Sequence, residues 1–192
     1  APVSAGRKSL ERRAKCQRVG RRHERFWYLL GRCVISILLD TSFLITLADP
    51  ARPHHEVAKR YLREALKQGA PLYLSAVVAS EFQVGQSVTD LPLRNFVTLP
   101  FNIDHAMTAG NLMRALKRDA GDDRAAMKDD VKLIGQMVCE SISHVLTEDH
   151  RTLAKYLERL GSLGQSSAKA IVLIDGFDAA WFNGGQRALL EH

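Results

Sequence analysis

Residues 34–49, VISILLDTSFLITLAD, decide how this chain is to be read. Six residues, apolar except for Ser36, run straight into Asp40, and apolar residues resume at Phe43. A run this short, β-branched and apolar on both faces predicts a buried strand of a parallel sheet. The following SFLITLAD predicts a helix. Open parallel sheets collect their chemistry outside the carboxyl edge, and a strand ending in a carboxylate delivers it there.

The same alternation continues outward from this stretch. HHEVAKRYLREALKQG (54–69) predicts a helix with Val57, Tyr61, Leu62 and Leu66 on one stripe and Gly69 as its stop. PLYLS (71–75) predicts a strand, AVVASEFQVGQSV (76–88) a helix, and NFVTLPF (95–101) a third strand. IDHAMTAGNLMRALKRDAG (103–121) and DDRAAMKDDVKLIGQMVCES (122–141) predict two helices, followed by a strand at SHVLT (143–147). EDHRTLAKYLERLG (148–161) predicts a helix and KAIVLI (169–174) a last strand. Strands alternating with helices imply an α/β fold, a three-layer α/β/α sandwich around a mostly parallel central sheet. With 192 residues the chain is long enough for one domain with a proper core.

The net charge of +6 is unevenly spread. Residues 1–34 hold ten Lys and Arg against Glu11 and Glu24, a balance of +8. The other 158 residues hold 17 basic and 19 acidic side chains, a balance of −2. The basic character therefore belongs to a leader, and residues 1–33 are expected to form a flexible or loosely helical extension ahead of a folded domain at 34–192.

Cys16, Cys33 and Cys139 show no metal-ligand spacing, and an odd count argues against a disulfide framework. A reduced, cytoplasmic setting is the simplest expectation. FWYLLGRCVISILL looks like a secretory or anchoring segment, but Arg32 interrupts it. Each apolar piece is far shorter than the ~20 residues that span a bilayer, so no membrane partner is expected.

Four acids stand out by placement. Asp40 ends the first strand, Glu81 lies about two turns into the helix after the second, and Asp149 follows SHVLT closely. Asp130 shares a stripe with Leu133, Ile134 and Met137, which turns its carboxylate inward. Its neighbour Asp129 shares a stripe with Lys132, Leu133 and Gln136, expected to be largely solvated, so helical phase favours Asp130 of the pair. An inward acid is costly unless paired, and converging carboxylates raise one another's pKa. A shared divalent cation removes both conflicts. Oxygen-only ligation suits Mg²⁺ or Mn²⁺ rather than Zn²⁺, and Mg²⁺ commonly completes its shell with water and phosphate oxygens.

Here the residues carry a family resemblance. LLDTSFLITL, SAVVASEFQVG, DDVKLIGQ and LTEDHRTL occur in the order and at intervals similar to those of PIN-domain proteins, in particular the VapC-type ribonuclease toxins. The resemblance spans about Val34 to Ile174. It implies a metal-dependent endoribonuclease acting on RNA, often a homodimer, with a small antitoxin as partner. It also implies that Asp40, Glu81, Asp130 and Asp149 bind one or two Mg²⁺ or Mn²⁺ ions. Ser42 and Thr147 would add hydroxyls that orient a carboxylate or a phosphate. Gly135 and Gln136 depart from the pattern, standing where the family prefers alanines, and are expected to loosen their helix. The tail from Gly176 runs beyond what the family core needs.

Each acid has an ordinary alternative. Asp40 can cap the following helix, Glu81 can be a solvated helical residue, and Asp149 can be a first-turn acid favoured by the helix dipole. His54, His55 and His150 are expected at the surface. Asp175–Gly176 is expected to turn the chain, with Asp175 or Asp178 near the rim of the site, and Trp181 and Phe182 to cap the core. Two other functions compete. One is a non-catalytic RNA-binding or scaffolding protein on the same fold, and the other a phosphatase of the haloacid dehalogenase type. The latter needs a second Asp two residues after the first, where this chain has Ser42.

Overall fold

Ile37, Leu38 and Leu39 form strand β1 (Ile37–Leu39), and all three are completely buried. Burial on both faces follows from β1's central position, between β2 (Leu72–Ser75) and β4 (His144–Thr147), both parallel to it. With β3 (Val97–Leu99) and β5 (Lys169–Val172) at the edges, the sheet has the order β3-β2-β1-β4-β5 and is parallel throughout. This computed structural model describes residues 35–116 and 124–182; the expected basic leader and the final ten residues lie outside them.

Six α-helices occur among the described residues: α1 (Thr41–Ala48), α2 (His55–Gln68), α3 (Ala76–Gly85), α4 (Ile103–Ala115), α5 (Arg124–Glu140) and α6 (Leu153–Ser162). The strand order runs outward in both directions from β1. Right-handed crossovers to either side place helices on opposite faces, giving the expected α/β/α sandwich. Its core gathers Ile37, Leu38, Phe43, Tyr61, Leu72, Ile134, Met137, Leu146 and Tyr156.

The helix ends follow local chemistry. Ser75 caps α3 by accepting from Val77 N, and Asn102 and His105 close a reciprocal capping box on α4. Gly69, at φ 67°, ends α2 in the left-handed conformation that favours glycine. Among the described residues no helix is long and apolar enough to cross a membrane.

Several elements differ from their expected bounds. The first strand is shorter than VISILL because Ser36 exchanges hydrogen bonds with Ser143, main chain to hydroxyl in both directions. The last strand stops at Val172 and passes into a 3-10 turn, Leu173–Asp175. The helix expected from Glu148 begins only at Leu153. Asp149 Oδ1 accepts from the main-chain N–H of Arg151 and of Thr152, at 2.7 and 3.0 Å, and holds those residues in a turn.

Gly135 and Gln136 do not loosen α5. A Cβ at Gly135 would lie 3.0 Å from Ala109 Cβ and from Ala109 N, so its absence lets α4 and α5 approach closely. Gln136 is fully buried. It accepts from the Ser75 hydroxyl and donates to the carbonyls of Leu99 and Pro100, which ties α5 to the ends of β2 and β3.

Candidate active site

Strand order reverses at the carboxyl ends of β1 and β4. One connection leaves β1 toward β2, and β4 continues toward β5, which opens a crevice between them. Asp40 stands there, the first residue after β1, and its backbone N–H still bonds to Leu146 O at 3.0 Å. Its carboxylate is buried. The hydroxyls of Ser42 and Thr147 both donate to Oδ2, at 2.5 and 2.7 Å, and the backbone N–H of Ser42 adds a third bond at 3.3 Å. The helix-capping role expected of Asp40 is thus present, on the same oxygen that receives the two hydroxyls. Burial pushes its pKa up, and the hydrogen bonds from Ser42, Thr147 and the main chain offset part of that.

Thr147 and Ser42 also fasten the end of β4. Thr147 Oγ1 accepts from Asp149 N at 2.9 Å, and Ser42 Oγ accepts from Glu148 N at 2.9 Å. The two hydroxyls lie 3.1 Å apart. One small polar network therefore joins the end of β1, the start of α1 and the end of β4.

Glu81 comes to the same place from α3. It accepts from the Thr41 hydroxyl, one residue after Asp40. Partial burial raises its pKa first, and the negative charges of Asp129 and Asp40 add to the rise. Asp130 arrives from α5, and the shift there is large. Burial, with further repulsion from Asp40, Asp149 and Glu81, raises its pKa to about 7, against an easing contribution from the Thr152 hydroxyl. Its Oδ2 is enclosed with no hydrogen-bond partner. Asp149 behaves in the opposite way. Burial would raise its pKa, but the Thr152 hydroxyl and the turn N–H groups of Thr152 and Arg151 outweigh that and hold it below the usual value.

The four acids thus come from four separate elements, and the charges of the other three raise the pKa of Asp130. As the side chains stand, no three acidic, His or Cys groups among the described residues are gathered closely enough to grip an ion. The donor set nonetheless suits a hard divalent cation: it is oxygen only, and the unpaired buried Oδ2 of Asp130 is an atom whose burial is costly until something positive meets it.

Other acids and histidines have contacts of their own, although the charge of Asp129 still reaches Glu81. Asp129 points outward and pairs with Lys132 at 2.6 Å, as its helical phase predicts. Asp175 is exposed, and Asp178 accepts from Ala180 N in a local turn. Phe182 is buried, and Trp181 packs edge-on against His144, at the opposite edge of the sheet. His150 is exposed, whereas the largely enclosed His55 ring donates from Nδ1 to Thr46 O at 3.1 Å. Sequence reasoning missed Thr41, Thr152 and the Arg52–Glu148 pair. Only Thr152, three residues after Asp149, had a local signal, the spacing of a capping turn.

Fold and acids together define a parallel α/β/α domain with an acidic edge at its topological switch point. The chain belongs to the PIN domain family, whose model matches residues 37–156. No curated protein matches it by sequence. Among solved structures it is similar to VapBC2 from Rickettsia felis bound to a promoter DNA fragment, at 12% identity and TM-score 0.48, covering 72% of this chain and 98% of that one. It is also similar to DNA-bound VapBC from Salmonella typhimurium, at 16% identity and TM-score 0.47, covering 72% and 98%. A third is VapC20 of Mycobacterium tuberculosis, a sarcin–ricin-loop-cleaving toxin, at 18% identity and TM-score 0.48, covering 70% and 99%.

Proposed function

We propose that this PIN-domain protein is a Mg²⁺- or Mn²⁺-dependent endoribonuclease that hydrolyses RNA phosphodiester bonds, and that it is the toxin of a toxin–antitoxin pair. The observation that carries the reading is the enclosed, unpartnered Oδ2 of Asp130 among three other acids that raise its pKa. Asp40, Glu81, Asp130 and Asp149 would hold the cation. When bound, it would neutralise charge developing on the scissile phosphate and acidify an attacking water.

The chain's own residues supply placement. Ser42 and Thr147 hold Asp40 in one orientation, so its carboxylate needs no reorganisation to meet a ligand. Thr41 does the same for Glu81. The turn around Asp149 keeps that residue ionised at neutral pH, ready as an anionic ligand. Asp130 holds a proton part of the time near pH 7 and releases it when a positive charge arrives.

The VapC-like sequence motifs support the toxin reading, with a small antitoxin covering the acidic edge, a homodimeric state and a cytoplasmic setting. Incubating the purified chain with a structured RNA tests the activity. Cleavage is expected with Mg²⁺ or Mn²⁺, and is expected to stop with EDTA and in Asp40→Asn. Cleavage that persists in Asp40→Asn removes the reading. RNA binding without cleavage or metal uptake would favour a non-catalytic role on the same fold.

A further inference from the structure

Two acids, Glu148 and Asp149, stand side by side at the end of β4, and only one of them serves the site. Glu148 is drawn the other way. Its Oε2 accepts from Arg52 Nη2 at 2.6 Å and from the Thr46 hydroxyl at 2.7 Å. Thr46 is completely buried in α1, and Arg52 lies in the turn between α1 and α2. The main chain of Glu148 is held separately, by the Ser42 hydroxyl that also donates to Asp40.

The residue that precedes Asp149 is therefore anchored twice, by its main-chain N–H and by its carboxylate. The main-chain bond ties it to the hydroxyl that also holds Asp40, and the side-chain bonds keep the Glu148 carboxylate toward α1. A Glu148 released from Arg52 and Thr46 would be free to turn toward the other acids. That would bring a fifth negative charge to a place already crowded with four.

Arg52 is incompletely satisfied in this arrangement. Its Nε is enclosed without a hydrogen-bond partner, an arrangement that costs free energy wherever it occurs. Its guanidinium remains about one third exposed, with a side-chain accessibility of 37%, so the pair is not a sealed core contact.

We infer that Arg52 and Glu148 are positioning residues for Asp149: their ion pair fixes the loop after β4 so that Asp149, and not Glu148, supplies the fourth carboxylate. The inference rests on the metal-site reading above. Neither residue touches substrate. They act through the backbone they share with Asp149, as outer partners of a metal ligand commonly do.

The test is Mn²⁺ affinity, measured by calorimetry on the full chain without RNA, with single-turnover RNA cleavage as a second readout. Arg52→Ala and Glu148→Ala are each expected to weaken Mn²⁺ binding by about tenfold. They are also expected to lower the cleavage rate while leaving the RNA concentration for half-maximal rate unchanged. The double variant should be no worse than either single one, since both remove the same contact. Glu148→Gln, which can still accept from Arg52 and Thr46, should stay within about threefold of the parent, and Arg52→Lys should recover part of the loss.

Far-ultraviolet circular dichroism and the thermal midpoint report folding, and the conservative variants Glu148→Gln and Arg52→Lys decide the matter if the alanine variants fold poorly. Mn²⁺ affinity equal to the parent in Arg52→Ala, or a loss in Glu148→Gln as large as the one expected of Glu148→Ala, overturns the pair's role. A parent chain that takes up no Mn²⁺ overturns both this role and the metal-site reading. A parent that binds Mn²⁺ in an Arg52-dependent way but cuts no RNA leaves the pair standing and removes only the ribonuclease.

Discussion

The hydroxyl of Thr147 donates to Asp40 Oδ2 at 2.7 Å, joining residues 107 positions apart at the point where the sheet changes direction. The same oxygen atom of Thr147 accepts from Asp149 N at 2.9 Å. One threonine thus orients one acid of the site by its proton and fixes the backbone of another by its lone pair. Replacing it with the isosteric Thr147→Val removes both bonds at nearly constant volume. Stability is expected to fall by about 1–3 kcal/mol, because Asp40 and Asp149 N lose a buried partner. RNA cleavage should slow by about 10- to 100-fold. Urea unfolding and single-turnover cleavage check the two effects separately.

Two large contributions to the pH dependence of the metal-free chain oppose each other. Asp130 has a pKa near 7 in the folded chain against an ordinary 3.8, so the folded chain retains a proton that the unfolded chain has released. Its contribution to stability is full below about pH 4 and is lost as pH rises through about 7. His144 runs the other way. Burial, with Lys169 nearby, lowers its pKa to about 4 from 6.5, so stability is gained as pH rises between those values. Asp130→Asn removes only the first contribution. In EDTA at pH 7.5 the variant is expected to be more stable than the parent by about 1–3 kcal/mol, with the difference vanishing near pH 4. Urea midpoints across that range provide the measurement, and Mn²⁺ should stabilise the parent more as pH rises.

Gly135→Ala tests the close approach of α4 and α5. Alanine is the better helix former by about 1 kcal/mol, yet its Cβ would meet Ala109 at 3.0 Å on both Cβ and N. The backbone nitrogen cannot move without moving α4. A net loss of about 1–2 kcal/mol is expected, seen as a lower thermal midpoint. A gain in stability would show that the helices can separate freely.

Gln136→Leu preserves volume but not chemistry. It leaves the Ser75 hydroxyl without its acceptor and the Leu99 and Pro100 carbonyls without their donor. A loss of about 2–4 kcal/mol in urea unfolding is expected for these stranded groups. Because Ser75 also caps α3, the helix that carries Glu81, Mn²⁺ affinity should weaken as well.

Much of the fold was legible because its signals are local. An apolar run ending in Asp40 read as a buried strand, and alternation of strands and helices led to a parallel sheet. Helical phase favoured Asp130 over Asp129 as the inward-facing acid, since facing inward or outward is a matter of angle around the helix axis. Element ends were less legible: Asp149 holds a turn where the pattern suggested helix, because a side chain competing for main-chain N–H groups leaves no mark on hydrophobic periodicity.

The sequence by itself therefore determined which segments are buried and which acids end strands or face inward. Tertiary structure alone decided the company those acids keep. Thr41 meets Glu81 across 40 residues, Arg52 meets Glu148 across 96, and Gln136 reaches Ser75 across 61. The physical reason is range. Secondary structure and burial follow from spacings of two to four residues, whereas a hydrogen bond at the crossover of a sheet depends on strand order and register, which the whole chain must fold to set.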